Sequence, residues 1–312
     1  MKNMVPFLIL LLAGWSCSPS PSTQPAEKEV YLFSFFQKNG EDGLHLASSE
    51  DGLTWTALRN NASFMTPAVG NEKLVRDPCI VQGPDGLFHM VWTCGWNENG
   101  IGYAHSPDLV NWSEQQFLPL MAHEPEVRNC WAPELYYDAA QQLYMIYWAS
   151  TIPGRFPTTD SSSESKYNHR MYYTTTRDFK DFTPAAVLYD HGFSVIDATI
   201  QHINGQYVMF LKDETRFPEP EKNIRIATSD QLTGPYTPPS EPITGDWVEG
   251  PTALHTPAGW ILYFDKYRDH HMGAIRSGDL QQWEDITEQL HFPEDTRHGT
   301  VFTVKASQVP LP

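Results

Sequence analysis

Cysteine, basic residues and long apolar runs are all scarce in this chain, and each shortage excludes a class of protein. Only four of the 312 residues are cysteine, and no two of them form a CxxC pair, which argues against a thiolate metal site. Lys and Arg number 21 against 38 Asp and Glu, a formal net charge of −17. So acidic a chain is not expected to bind nucleic acid or an anionic membrane surface, and its charge favours a neutral or cationic ligand.

The longest apolar run lies at the N-terminus, over Val5–Ala13, and is too short to span a membrane. With a basic residue before it, this run predicts a signal peptide over residues 1–16. The pattern ending at Cys17 is similar to a bacterial lipoprotein signal, in which the cysteine becomes lipidated; an ordinary cleaved signal peptide is the alternative. Residues 17–29, rich in Pro and Ser, are expected to form a tether.

These N-terminal features predict an exported protein. We expect it in the periplasm or anchored to the outer membrane of a Gram-negative bacterium, touching the membrane only through its lipid. Cys79, Cys94 and Cys130 remain in the mature chain, so at most one disulfide can form. Cys79 and Cys94 fall on neighbouring predicted strands but out of register, and we expect all three to be buried free thiols.

Aromatic residues and proline are abundant, with 10 Trp, 14 Tyr, 16 Phe and 25 Pro. They recur in one pattern of four short strands, in which an opening motif is followed by an aromatic-rich apolar run, a third strand and a turn that ends in an aromatic residue. A period of about fifty residues with four strands in each repeat is typical of a β-propeller. The five opening motifs are Arg76–Ile80, Cys130–Leu135, Ile196–Ile200, Val248–Thr252 and Arg297–Val301.

The two ends of the chain complete one repeat between them. Val30–Phe36 matches a second strand but has no first strand before it, whereas His298–Val304 matches a first strand after which the chain ends. We therefore predict an all-β, five-bladed β-propeller over residues 30–309, in which the closing blade is shared between the N-terminal strands and the C-terminal strand. Such closure leaves no open sheet edge.

Three of the opening motifs have a carboxylate at an equivalent point, their second residue, and these are Asp77, Asp197 and Glu249. The start of an inner strand lies near the propeller axis and is poor in water, so unpaired carboxylates there are costly. Two explanations remain open. The acids are ligands of a structural cation on the axis, or they perform acid–base chemistry that needs two carboxyl groups in different protonation states. Inverting glycoside hydrolysis uses such a pair, roughly 6.5–9.5 Å apart.

The motifs, in order and one per blade, resemble those of glycoside hydrolase family 43, in particular its Bacteroides-type arabinofuranosidase branch. The resemblance runs from about Val30 to Val304 and itself implies a five-bladed propeller. It implies that Asp77, in an Asp-Pro-x-Ile segment, is the general base and that Glu249, in Glu-Gly-Pro, is the general acid. It also implies that Asp197 orients the acid and modulates its pKa.

Other residues are expected around the sugar, each with a purely structural role as the alternative. Trp96 and Trp131 are expected to form apolar walls, and Glu134 to bind sugar hydroxyls. We expect Arg276 to hold Asp197 or a hydroxyl. Phe156 or Arg155, on the long loop Ile152–Tyr167, is expected at the pocket mouth. His298, in the late His-Gly motif of the family, is expected to ligate Ca²⁺ or another axial ion, or a water; no other cofactor is expected.

These expectations define an exo-acting inverting glycosidase that removes terminal α-L-arabinofuranosyl residues from plant glycans, its partner being an oligosaccharide or a polysaccharide. We expect a monomer. A β-xylosidase and a galactofuranosidase are the enzymatic alternatives, because loops set specificity on this scaffold. A non-catalytic carbohydrate-binding lipoprotein and a propeller scaffold for protein contacts are the alternatives without catalysis.

Overall fold

The computed structural model describes Met1 and residues 27–310. In this part of the chain the secondary structure is almost entirely strand, with four short 3-10 helices at Leu58–Asn61, Pro157–Ser162, Thr287–Gln289 and Ala306–Gln308. Cys17, the predicted signal peptide apart from Met1 and most of the predicted tether lie outside the described residues. None of the described helices has the length and apolar character needed to cross a membrane.

The strands form five antiparallel sheets, which are the blades of a five-bladed propeller. In four blades the inner strand is the first in chain order, whereas in the closing blade it is the last. The closing blade has the order β19-β1-β2-β3, formed by β19 (Thr300–Lys305), β1 (Glu29–Phe35), β2 (His45–Ser49) and β3 (Thr56–Ala57). The second blade contains β4 (Arg76–Gln82), β5 (Phe88–Thr93), β6 (Ile101–Ser106) and β7 (Gln116–Leu118).

The other three blades follow in chain order. The third contains β8 (Trp131–Asp138), β9 (Leu143–Ser150), β10 (Arg170–Thr176) and β11 (Ala186–Tyr189). The fourth contains β12 (Val195–Ile203), β13 (Gln206–Asp213) and β14 (Ile224–Ser229). The fifth contains β15 (Glu249–Thr256), β16 (Gly259–Lys266), β17 (His271–Ser277) and β18 (Glu284–Asp285).

The predicted closure of the ring is confirmed. Strand β19 pairs antiparallel with β1, and Val30 lies opposite Val304 and Phe33 opposite Val301. The last strand of the chain is therefore the inner strand of the blade that the N-terminus begins. This pairing covers the edge that β1 would otherwise expose.

The second strand of every blade is largely buried on both faces, which explains its mainly apolar sequence. Successive side chains of a strand point to opposite faces. On β5, Met90 and Trp92 pack in the seam with the closing blade, whereas Val91 packs in the seam with the third blade. The same alternation continues around the ring, so that five apolar seams, one between each pair of neighbouring blades, form the core.

The fourth blade differs from the predicted four-strand pattern because only three strands are described in it. The chain after β14 still runs beside that strand, since the backbone N–H groups of Thr237, Ser240 and Ile243 donate to its carbonyls at 2.8–2.9 Å. Pro235, Pro238, Pro239 and Pro242 interrupt this segment. Proline has no N–H to donate, so a continuous ladder cannot form there.

Cys79, Cys94 and Cys130 are buried free thiols, as predicted. Cys94 packs in the seam between the closing and second blades, and Cys79 and Cys130 pack in the seam between the second and third. Each therefore occupies a small apolar position in the core. The inner strands run antiparallel to the second strands, so that Glu249 at the start of β15 lies opposite Asp265 at the end of β16.

Candidate active site

A β-bulge recurs at the start of four inner strands. In β4, β8, β12 and β15 the pairing register shifts at the same point, two or three residues into the opening motif. One residue in each bulge has a left-handed backbone, and these are Asp77 (φ 51°), Ala132 (φ 46°), Asp197 (φ 51°) and Gly250 (φ 61°). A bulge bends its strand and redirects a side chain, and strained backbone of this kind is often found at functional sites.

The bulges show that Glu249 is not equivalent to the two aspartates. Asp77 and Asp197 occupy the left-handed position, whereas the fifth blade has Gly250 there and Glu249 one residue earlier. The prediction of acids at equivalent points is therefore wrong for Glu249. The physical reason lies at Gly250, where a Cβ atom would stand 2.3 Å from the imidazole ring of His298.

Asp77 is held as a buried carboxylate. The Thr93 hydroxyl donates to its Oδ2 at 2.8 Å, and Nδ1 of His298 lies 3.3 Å from its Oδ1. Burial would raise the pKa of Asp77, but His298, Arg76 and the Thr93 hydroxyl together lower it to about 2. Asp77 is thus ionised, and able to accept a proton, throughout the physiological pH range.

Asp197 has the opposite electrostatic character. Burial raises its pKa to about 7, with further contributions from the charges of Glu249 and Asp77, while His298 and Lys212 oppose the rise. Its Oδ2 accepts a hydrogen bond from the backbone N–H of Gly250 at 3.1 Å. Asp197 therefore holds the bulge that carries Glu249.

Glu249 reaches into the pocket between two cations. Its Oε2 lies 3.2 Å from Nζ of Lys212, and its Oε1 lies 3.6 Å from Nη2 of Arg297. The side chain is 24% exposed, compared with 11% for Asp77 and 5% for Asp197. Glu249 is accordingly the most accessible carboxylate of the three.

His298 lies between the two aspartates. Its Nδ1 is 3.3 Å from Asp77 and 3.9 Å from Asp197. Burial would lower the pKa of His298, but the two carboxylates raise it to about 9, so the imidazole is itself a cation on the axis. Its backbone N–H donates to Asp265 at 3.1 Å.

A protonated imidazole has no free lone pair for a metal ion, so ligation of Ca²⁺ by His298 would require the loss of this proton. Within the part of the chain that the structure describes, no group of three or more His, Cys, Asp or Glu side chains is arranged to hold a metal. The axial ion stays a prediction.

The three carboxylates and His298 line one pocket of about 140 Å³. Trp96 and Trp131 line it too, as predicted for its walls, with ring centroids 5.4 Å apart in an edge-to-face arrangement. The indole N–H of Trp131 donates to the backbone carbonyl of Trp96 at 3.0 Å, and the Arg76 guanidinium lies 4.4 Å from the Trp96 ring centre. The pocket thus combines acidic groups with aromatic walls.

The sequence matches the profile of a family described as "Probable glycosyl hydrolase domain", related to glycoside hydrolase family 43, over residues 27–309. The chain belongs to this family. The match covers the whole propeller, so this is a glycoside hydrolase of the family 43-related group. Nothing in the comparison bears on the Bacteroides-type branch, which stays a prediction.

Relatives of this glycoside hydrolase include an "Alpha-L-arabinofuranosidase" of Bifidobacterium longum subsp. longum, 27% identical over 240 residues. That alignment covers 66% of this chain but only 22% of the relative. An α-L-arabinofuranosidase from Clostridium thermocellum has a similar structure, with TM-score 0.55 and 13% identity over 86% of this chain and 92% of that one.

A xylan β-1,4-xylosidase from Bacillus halodurans also has a similar structure, with TM-score 0.51 and 16% identity over 70% of this chain and 42% of that one. At these identities, the likeness of the two structures shows the fold alone.

Three sequence-predicted residues lie outside the pocket of the hydrolase. Glu134 is buried, and its Oε2 accepts from the Tyr147 hydroxyl at 2.8 Å. Burial raises the pKa of Glu134 to about 7. Arg276 does not reach Asp197, because it pairs with Glu284 on the outer strand β18 at 2.8 Å. Phe156 packs under the Arg170 guanidinium at 4.2 Å.

The long loop is connected to the pocket through a residue that was not predicted from the sequence. Arg155 pairs with Glu124 rather than with the pocket, but Glu164 of the same loop lies 2.9 Å from Lys222. Lys222 also pairs with Glu214, and Glu214 lies 2.7 Å from Lys212, which contacts Glu249. Lys212, Glu214 and Lys222 lie close together in the sequence around the end of β13, but no spacing rule connects them to Glu164 or Glu249.

Substitution of Gly250 by alanine is expected to lower kcat/KM by about a hundredfold or more, because the new Cβ would collide with His298 and displace the groups around it. The matched control is Gly245→Ala, where a Cβ meets nothing within 4 Å. Steady-state kinetics and thermal unfolding of both variants would check this. Equal kcat/KM values for the two variants would contradict this prediction, because the groups around Gly250 could then be displaced without loss of activity.

The buried imidazolium makes stability depend on pH. The pKa of His298 is about 9 in the fold against an ordinary 6.5, so its contribution to the free energy of unfolding is complete below pH 6.5 and is lost as the pH rises through about 9. As the pH rises from 6.5 to about 9, the midpoint temperature of thermal unfolding should fall more for the wild type than for His298→Gln. The exposed His255→Gln variant serves as control and should follow the wild type.

Proposed function

We propose that this glycoside hydrolase is an exo-acting, inverting α-L-arabinofuranosidase that removes terminal arabinofuranosyl residues from plant glycans. The observation that carries the proposal is one small pocket that combines an ionised buried aspartate, an accessible glutamate and two tryptophan walls. Its volume of about 140 Å³ is well below the ~300–1,000 Å³ of pockets for drug-sized ligands and suits about one sugar ring. A pocket that closes around one ring favours attack at a chain end.

In this mechanism Asp77 is the general base. A water molecule attacks the anomeric carbon from the face opposite the leaving group, and its proton passes to the Asp77 carboxylate as the C–O bond to the water forms. A base with a pKa of about 2 is ionised whenever substrate binds. The attack on one face and departure from the other invert the anomeric configuration.

Glu249 is the general acid and gives its proton to the glycosidic oxygen as the bond to the leaving group breaks. Asp197 positions it through the Gly250 N–H. To serve as the acid, Glu249 must carry a proton when the substrate is bound. Lys212 lies closer to Glu214, at 2.7 Å, than to Glu249, at 3.2 Å. We propose that it pairs with Glu214 during turnover and leaves Glu249 free to donate.

The choice of sugar is supported by the relative from Bifidobacterium longum, which is named an α-L-arabinofuranosidase. This chain spans less than a quarter of that relative's length, so the sugar is a proposal rather than a property of the family. A β-xylosidase or a galactofuranosidase would place a different ring against the same acids. A non-catalytic sugar-binding protein would have no need of two buried aspartates with widely different pKa values.

The test is hydrolysis of nitrophenyl α-L-arabinofuranoside, β-D-xyloside and β-D-galactofuranoside, with the first product anomer followed by proton NMR. We expect the arabinofuranoside to be preferred and the product to be inverted. Asp77→Asn should reduce turnover of every substrate by about 10²–10⁴, because water activation is always needed. Glu249→Gln should reduce turnover of arabino-oligosaccharides similarly but spare the nitrophenyl sugar, whose leaving group needs little protonation.

A product that retains its configuration would overturn the inverting mechanism. Near-full activity of Asp77→Asn would overturn the base assignment. The matched control is Asp108→Asn, which changes a turn aspartate on the outer part of the second blade and should leave kinetics unchanged.

We also propose that the enzyme is an exported, monomeric lipoprotein in which residues 1–16 are the signal peptide and Cys17 carries the lipid. The N-terminal sequence pattern supports this proposal. Expression in a Gram-negative host with radiolabelled palmitate should label the wild type in the membrane fraction. Cys17→Ser should be unlabelled. Equal labelling of the two, or no labelling of either, would contradict lipidation at Cys17.

A further inference from the structure

A group of aromatic and arginine side chains lies beside the pocket and has no part in the mechanism. Trp247 precedes Glu249 by two residues. The guanidinium of Arg268 lies 3.2 Å from the Trp247 ring centre and that of Arg216 lies 5.5 Å from it. Arg216 also covers one face of Phe217, at 4.9 Å, and Phe217 is 47% exposed. We call Arg216, Phe217, Trp247 and Arg268 the arginine platform.

The platform is continuous with the active site. Trp247 packs edge-to-face against Tyr267 with ring centroids 6.5 Å apart, and Nζ of Lys212 lies 5.0 Å from the Tyr267 ring centre. Lys212 in turn lies 3.2 Å from Glu249, the proposed acid. The general acid stands on the leaving-group side of the sugar in an inverting site. A chain attached to the departing oxygen would therefore extend toward the platform.

The charges of the platform are not neutralised by neighbouring acids. Within residues 27–310, ion pairs with carboxylates are formed by Arg155, Arg170, Arg225, Arg276 and Arg297, but not by Arg216 or Arg268. Three acids close to the platform in the sequence are engaged elsewhere: Glu214 pairs with Lys212 and Lys222, Asp269 pairs with Lys266 at 3.2 Å, and Asp246 accepts from the Asn223 amide at 3.1 Å. Two guanidinium groups are thus available to a ligand.

This local charge opposes the charge of the whole molecule. With a net charge of −17, the protein as a whole repels anions and favours a neutral or cationic ligand. Charges separated by more than a Debye length, roughly 8 Å at physiological salt, are largely screened from one another. A ligand in contact with the platform is closer than this to the two guanidinium groups, so their attraction is much less screened. The local pair of arginines therefore decides what binds beside the pocket.

Arginine binds carboxylates through two parallel N–H donors, and aromatic rings take the apolar C–H face of a sugar. From these features we propose that the arginine platform is a binding site for a uronic acid residue, so that the substrate is an acidic glycan from which the arabinose branches. The uronate carboxylate binds Arg216 and Arg268, and its ring stacks on Phe217. This inference rests on the proposed function for its place in the substrate, but binding at the platform does not require hydrolysis.

The test measures binding by calorimetry, with trigalacturonate, its fully methyl-esterified form and neutral arabinotriose as probes. Esterification removes the charge and keeps the sugar chain. We expect wild type to bind trigalacturonate on the order of tenfold more tightly than the ester, with the preference falling at high salt. The double variant Arg216→Gln/Arg268→Gln should lose this preference, and Arg216→Lys/Arg268→Lys should keep part of it.

Arg59→Gln is the matched control, because Arg59 also stacks on an aromatic ring, Phe64 at 4.9 Å, but follows the outermost strand of the closing blade. It should bind like wild type. Equal affinity for acid and ester, or a charge preference that survives in the double glutamine variant, would overturn the platform as a uronate site. Charge-selective binding without hydrolysis of any arabinoside would instead retain the platform and overturn the arabinofuranosidase proposal.

Discussion

The bulge at the start of the inner strands is the constraint on which the site depends. A regular strand would point alternate side chains into the two seams of a blade. The left-handed residue in each bulge breaks this alternation near the axis, where Asp77 and Asp197 sit at φ 51°. Left-handed backbone is unfavourable for most residues, but aspartate tolerates it comparatively well. The closed ring holds these positions, because every inner strand is paired along its own blade and packed against two neighbours.

The concentration of acids on the axis is stabilised by cations from other blades. His298 comes from the end of the chain and lies between two aspartates from the second and fourth blades. Lys212 belongs to the fourth blade and Arg297 lies just before the inner strand of the closing blade, and both contact Glu249. Because buried charges are costly without partners, the acids and the cations depend on one another. Closure of the propeller therefore brings the charged groups of the pocket together as well as stabilising the fold.

The same arrangement separates the pKa values of the two aspartates. Both are buried, yet the pKa of Asp77 is lowered to about 2 and that of Asp197 is raised to about 7. The difference in pKa follows from the neighbouring groups rather than from the extent of burial. Asp77 has the closer contact with His298 and accepts from a hydroxyl donor, whereas Asp197 faces two other carboxylates. Two identical side chains in equivalent bulges thus have different pKa values, the pattern expected of acid–base sites.

Much of this protein was predictable from local sequence. Patterns within single strands were enough to predict the five repeats and the blade shared between the termini. The same patterns predicted the positions of Asp77, Asp197, Glu249 and the two pocket tryptophans. The tertiary structure alone decided the rest. Lys212 and Arg297 contact Glu249 across blades, Arg276 turns outward to Glu284, and Gly250 displaces Glu249 from the position of the aspartates. These relations depend on the tilt of each strand and the closure of the ring, which set distances between residues far apart in the sequence and leave no periodic signal in it.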